Sequence, residues 1–165
     1  MTGPPRDEVD AVVQAWRRER PDLDVTPLEV LSRITRLAHQ LDRRRSAAFT
    51  AHDLESWEFD VLAALRRAGP PYQLSPGQLL QETLVTSGTM TNRVDRLAAR
   101  GWVTREVQPG DRRGVLVRLT GEGRTVVDSA LTDLLQAERS MLTGLDPAAQ
   151  AELIAALRVL LATRP

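Results

Sequence analysis

LSPGQLLQETLVTSGTMTNRVDRLAARGWVTREVQPGDRRGVLVRL, residues 74–119, carries the strongest local signals for structure in the chain. It opens on Ser75-Pro76-Gly77-Gln78: a serine cap, a proline at the first helical position and a glutamine three residues after the cap. Together these satisfy or remove the N–H groups that a helix start leaves orphaned. The short helix they begin is predicted to end by about Leu84. A second starts at Thr86 or Ser87 and runs to Arg100, where Gly101 offers the left-handed conformation that stops a helix. The pair reads as a helix-turn-helix.

In the second helix Met90, Val94 and Leu97 recur at i, i+4 and i+7 and form a core stripe. Thr89, Asn92, Arg93, Arg96 and Arg100 spread over the remaining surface. These side chains can bond base edges or phosphates in a major groove, and the helix N-terminus adds its own attraction for phosphate. Taken alone, such a helix is also consistent with a solvated basic face. The candidate DNA contacts here are Ser87, Thr89, Met90, Asn92, Arg93 and Arg96, Met90 being shared with the core stripe.

Residues 102–107 and 115–119 are short β-branched and aromatic runs separated by Gln108-Pro109-Gly110-Asp111-Arg112-Arg113-Gly114, which reads as a hairpin with a basic tip. A wing after a recognition helix can lay an arginine in the neighbouring minor groove, so Arg112 and Arg113 join the candidate contacts. Residues 86–120 hold seven arginines (93, 96, 100, 105, 112, 113 and 118) against Asp95, Glu106 and Asp111, a local charge of +4 on a chain whose formal net charge is +0. The positive charge is concentrated where DNA would be met.

TSGTMTNRVDRLAARGWV and DRRGVLVRLT resemble the winged helix-turn-helix of the MarR family of bacterial transcriptional regulators, and the resemblance extends over nearly the whole chain. It implies a mainly α fold with a small β-hairpin wing, in one domain over residues 1–165. Residues 54–119 are the winged helix-turn-helix lobe; residues 1–53 and 120–165 supply N- and C-terminal helices for scaffold and dimerisation. It also implies a homodimer with interleaved terminal helices, placing two recognition helices on double-stranded DNA at a pseudopalindromic operator.

Composition narrows the function. The 165 residues suffice for one domain with a real core. With no cysteine there is no disulfide, no thiol oxidant sensor, no cysteine nucleophile and no cysteine-ligated zinc. No run of eighteen apolar residues and no N-terminal signal pattern occurs, so the expected location is cytoplasmic and no membrane is expected as partner. His39 and His52 stand apart, and there is no glycine-rich phosphate loop, nucleophile elbow or metal-ligand spacing. The chain is therefore not expected to be an enzyme or to hold a cofactor or metal.

Around the central stretch the pattern is helical. Residues 7–20 carry Val9, Val12, Val13 and Trp16 on one face, Trp16 reading as the group that docks this helix. Thr26-Pro27-Leu28-Glu29 reads as a capping box for a helix reaching about Thr50, with the stripe Leu31, Ile34, Ala38, Leu41 and Ala48. Ser56 is expected to cap a helix over residues 57–68 that is apolar nearly all round except at Asp60. That aspartate reads either as a boundary carboxylate beside Arg67 or as a pocket-edge group. Strand alternation puts Arg105 on the inner face with Val103 and Val107, where Asp60 could meet it. Thr120 caps a long helix to about Thr143, and Asp146-Pro147 starts a last one bearing Leu153, Ile154, Leu157, Leu160 and Leu161. Such wide apolar faces call for a partner subunit.

A narrower resemblance, to a urate-responsive subgroup, rests on four positions. These are Trp16 on an extra N-terminal helix, Asp60 in WEFDVL, Arg93 in TNRV and Arg105 in VTRE. It implies a ligand site formed by Trp16, Asp60, Arg93 and Arg105 for urate or another small anionic aromatic compound, and release of a repressor from its operator. A regulator answering to a phenolic or aromatic carboxylate, and a DNA-binding architectural protein with no effector, are the other readings.

Overall fold

The computed structural model describes residues 6–83, 87–107 and 114–162, and the chain divides into two units, residues 1–43 and 44–165. The wing-tip arginines Arg112 and Arg113 lie outside the described residues.

In the first unit, α1 (Glu8–Glu19) is capped by Asp7, whose carboxylate accepts from the amides of Val9 and Asp10, while Asp10 accepts in return from the Asp7 amide. Val9 and Val13 are buried with Val25, and Leu28 packs against them. These small β-branched residues dock the helix. Trp16 is not among them, contrary to the sequence reading: the residue is 48% exposed and lies outside the cluster formed by Val9, Val13, Val25 and Leu28. The other expected device that changes is the cap of α2 (Thr26–Thr50). The Thr26 amide donates to Asp24, and Glu29 accepts from Arg17 instead of reaching back to Thr26.

The second unit holds the last turns of α2, α3 (Ser56–Arg67), β1 (Gln73–Leu74), α4 (Pro76–Thr83), α5 (Ser87–Ala99), β2 (Val103–Val107), β3 (Val115–Leu119), α6 (Gly121–Met141) and α7 (Pro147–Ala162). The helix caps follow local chemistry. Ser75 and Gln78 bond reciprocally at the start of α4, the expected capping box. The cap of α3 is Glu55, one residue earlier than expected, with Glu58 Oε2 accepting from the Glu55 amide at 2.9 Å. Thr120 caps α6 by accepting from the Gly123 amide.

The core gathers Leu62 and Leu65 of α3, Leu79 of α4, Met90, Val94 and Leu97 of α5, Val117 of β3 and Val127 of α6, all buried. Each such side chain contributes roughly 1.5–3 kcal/mol on removal from water. At its edge Phe49 stacks on Phe59 with ring centres 4.3 Å apart. The sheet runs β1-β3-β2, all antiparallel, with Val103 opposite Leu119 and Val107 opposite Val115. Gly101, at φ +74°, ends α5. Gly123 lets the first turn of α6 close on the base of the wing, since a Cβ there would lie 2.2 Å from the Trp102 carbonyl oxygen. No residue of α7 is buried among the described residues.

Candidate nucleic-acid interface

The buried stripe of α5 fixes which side of that helix faces outward. Met90, Val94 and Leu97 are 1%, 2% and 0% exposed. Met90 is therefore a core residue, and its assignment as a DNA contact is corrected: a side chain packed inward on an anchored helix presents nothing to a groove. Thr89, Thr91, Asn92 and Arg96 are exposed, and Arg93 is half-buried on the flank. Ser87 opens the helix, its side chain lying outside those described.

The three arginines of this region differ sharply in their partners. Arg93 has no carboxylate partner among the described residues; its guanidinium lies 5.3 Å from the centre of the Trp57 ring. Arg96 shares that ring, at 4.7 Å, and pairs with Glu55. Arg100 is taken into the fold: it donates to both oxygens of Glu58, at 3.2 and 3.0 Å, and to Asp53 at 2.7 Å, and lies 3.6 Å from the centre of the Trp102 ring. Glu58 is 1% exposed, so Arg100 neutralises a buried carboxylate and is a structural residue.

Arg105 does not meet Asp60. Its Nη2 pairs with Asp95 of α5 at 2.6 Å and donates to the Thr91 carbonyl at 3.3 Å, tying the first wing strand to the recognition helix. The inward face expected from strand alternation ends at Val103, because β2 leaves the core there: Arg105 is exposed and Val107 is 67% exposed. Asp60 is exposed and makes no hydrogen bond or ion pair among the described residues, while Arg67 pairs with Glu82. Both partners foreseen for Asp60 are thus engaged elsewhere. Of the four subgroup positions, Trp16 belongs to the first unit and Asp60, Arg93 and Arg105 to the second.

Sequence reasoning missed Glu55, Glu58 and Asp53. A signal existed, since a glutamate inside a helix read as buried all round needs a cation, and arginines at positions 96 and 100 repeat with nearly the spacing of glutamates at 55 and 58. Glu55 is held below the usual carboxylate range by the Trp57 indole N–H and by the Arg96 guanidinium. It is therefore ionised at neutral pH.

The MarR-family pattern matches residues 52–114, from just after α2 to just before β3. The HTH-type transcriptional regulator PecS of Dickeya dadantii is 40% identical over 136 residues, which is 82% of this chain and 82% of PecS. The chain belongs to the MarR family. Its fold is similar to that of BpsR of Bordetella bronchiseptica, whose DNA binding is regulated by 6-hydroxynicotinic acid (TM-score 0.62, 29% identity, 79% of this chain and 94% of the other). It also resembles a mutant of MarR from E. coli complexed with operator DNA (TM-score 0.65, 26% identity, 84% and 99%). In MarR-family terms, α4 and α5 are the helix-turn-helix of a transcriptional regulator and β2–β3 its wing. No helix among the described residues is long and apolar enough to cross a membrane.

Proposed function

We propose that this chain is a cytoplasmic homodimeric repressor that binds a pseudopalindromic operator and leaves it when a small anionic aromatic ligand, urate or a related purine, is bound. The observation that carries the DNA reading is the outward row Thr89, Asn92 and Arg96 on a helix anchored by three buried residues, with Arg93 beside it free of any described carboxylate. Two such helices would enter successive major grooves roughly 34–36 Å apart. Arg112 and Arg113 are proposed as wing contacts, and Ser87 as a contact at the helix start.

The dimer reading is supported by exposed apolar side chains on α6 and α7: Leu131, Leu135, Leu153, Ile154, Leu157 and Leu161, the last 83% exposed. A second copy would cover them. Sedimentation of the intact chain as a folded monomer at micromolar concentration would contradict this.

For the ligand, the guanidinium of Arg93, with no described carboxylate on it, is the proposed anchor, since an anionic heterocycle offers paired acceptors to such a fork. Arg105 is the second cation. Its bonds to Asp95 and to the Thr91 carbonyl join wing and recognition helix, and an anion drawing it away would release that tie. A ligand that favours the untied state must by linkage bind more weakly to the DNA complex. Asp60 would act as an acceptor for ring N–H groups. BpsR, regulated by 6-hydroxynicotinic acid, favours an aromatic carboxylate as the second reading. Titration of urate and of 6-hydroxynicotinic acid into the protein–operator complex tests both, with Arg93→Ala and Asp60→Asn as controls. Release by urate that Arg93→Ala abolishes is expected. No binding up to millimolar urate, or release unchanged in Arg93→Ala and Asp60→Asn, would sink the urate site.

A further inference from the structure

Arg96 stands on the outward side of α5, and its guanidinium is held on one side and open on the other. Nη2 donates to Glu55 Oε1 at 2.5 Å, and the other oxygen of that carboxylate accepts the Trp57 indole N–H at 2.7 Å. The guanidinium carbon lies 4.7 Å from the centre of the Trp57 ring. One carboxylate and one aromatic face, two residues apart at the start of α3, thus fix one donor and one face of the fork. Nε and Nη1 have no partner among the described residues, and either one, together with the second N–H of Nη2, completes a parallel pair of donors for a base edge.

Two consequences follow from the chemistry. A long arginine side chain in solvent samples many rotamers and loses that freedom when it reads a base; one already stacked and ion-paired has lost it beforehand. The carboxylate that orders it is itself 57% exposed, so it would repel any phosphate approaching Arg96 and would compete for its charge. A guanine edge, which offers two neutral acceptors, is repelled less than a phosphate. The arrangement therefore disfavours sequence-independent contact more than it disfavours base readout.

We propose that Glu55 and Trp57 are positioning residues that aim Arg96 at one base pair and withhold it from phosphates, so that the start of α3 sets the sequence selectivity of α5. This rests on the DNA-binding reading above. Neither residue is a DNA contact; both act through Arg96.

The test uses the full-length protein and a duplex selected from a randomised pool by the wild type, with a scrambled duplex of equal length for comparison. The readout is the ratio of the two affinities. Glu55→Gln keeps an acceptor for the indole but removes the charge, and the ratio is expected to fall about tenfold, mainly through tighter binding of the scrambled duplex. Trp57→Phe, which keeps the ring and drops its N–H, is expected to lower the ratio less. In an Arg96→Ala background, Glu55→Gln is expected to leave the ratio within about twofold, because the residue it acts through is gone. A Glu55→Gln variant that weakens both duplexes alike, or that shifts the ratio as much without Arg96 as with it, would overturn the proposal while leaving the regulator reading intact. A pool from which the wild type enriches no sequence would instead remove the regulator reading and this proposal with it.

Discussion

Replacing Arg100 by alanine is predicted to destabilise the winged-helix unit by about 3 kcal/mol. The carboxylate of Glu58 is 1% exposed, and among the described side chains its cation is Arg100, at 3.0 and 3.2 Å. Removing one partner of a buried ion pair costs about 3–5 kcal/mol, because the remaining charge is left uncompensated. Here the arginine side chain is 31% exposed, so water already screens one end, and the lower figure applies. The Glu55 amide still bonds Glu58 Oε2 in the variant and offsets part of the loss. The loss of the guanidinium stacked on Trp102 adds to it. Urea unfolding of wild type, Arg100→Ala, Glu58→Gln and the Glu58→Leu, Arg100→Ala double variant, at one protein concentration, separates these contributions. Glu58→Gln carries no net charge into the interior and should cost less than Arg100→Ala; the double variant, with neither charge, should recover part of the stability. A loss below about 1 kcal/mol in Arg100→Ala, or a double variant less stable than Arg100→Ala, would show that Arg100 does not compensate a buried charge.

Gly123→Ala should cost about 1–3 kcal/mol in the same assay, since its Cβ would lie 2.2 Å from a backbone oxygen, whereas Gly121→Ala, with nothing within 4 Å, should be tolerated. Acidification should loosen the docking of α1 on the start of α2: Arg33 holds the Asp7 carboxyl below its ordinary value of 3.8. A depressed folded value contributes stability that is complete above 3.8 and is lost as pH falls below it, so hydrogen exchange in α1 should accelerate only under strongly acidic conditions. Deleting residues 145–165 should abolish the dimer yet leave the core of the second unit folded, because α7 buries none of its described residues in a single chain. Sedimentation paired with circular dichroism checks this, and a dimer of undiminished stability would contradict it.

Much of this architecture was legible in the residues. The capping box at Ser75 and Gln78, the stop at Gly101, the valine-rich wing strands and the cap at Thr120 each carry a local physical signal, and each forms where expected. β1 carries no such signal: two residues, Gln73 and Leu74, are too few to show a period, and pairing with β3 makes them a strand. The partners of charged groups were the least legible. Helical position and strand alternation set a direction for Arg105 and Asp60, but they could not show that β2 leaves the core after Val103 or that Asp95 stands across from Arg105. Tertiary approach decides such pairs. The buried Glu58–Arg100 pair joins residues 42 apart in sequence, a separation that no local pattern reports.

Recognition of a particular DNA sequence by α5 and the wing is what makes the protein a specific regulator. The most direct measurement is the affinity of the full-length protein for its selected duplex and for a scrambled one across a salt series. The selected duplex is expected to be bound about a thousandfold or more tightly at physiological salt, with both affinities falling linearly in log–log form as phosphate contacts release counterions. Equal affinity for the two duplexes at every salt concentration would contradict it.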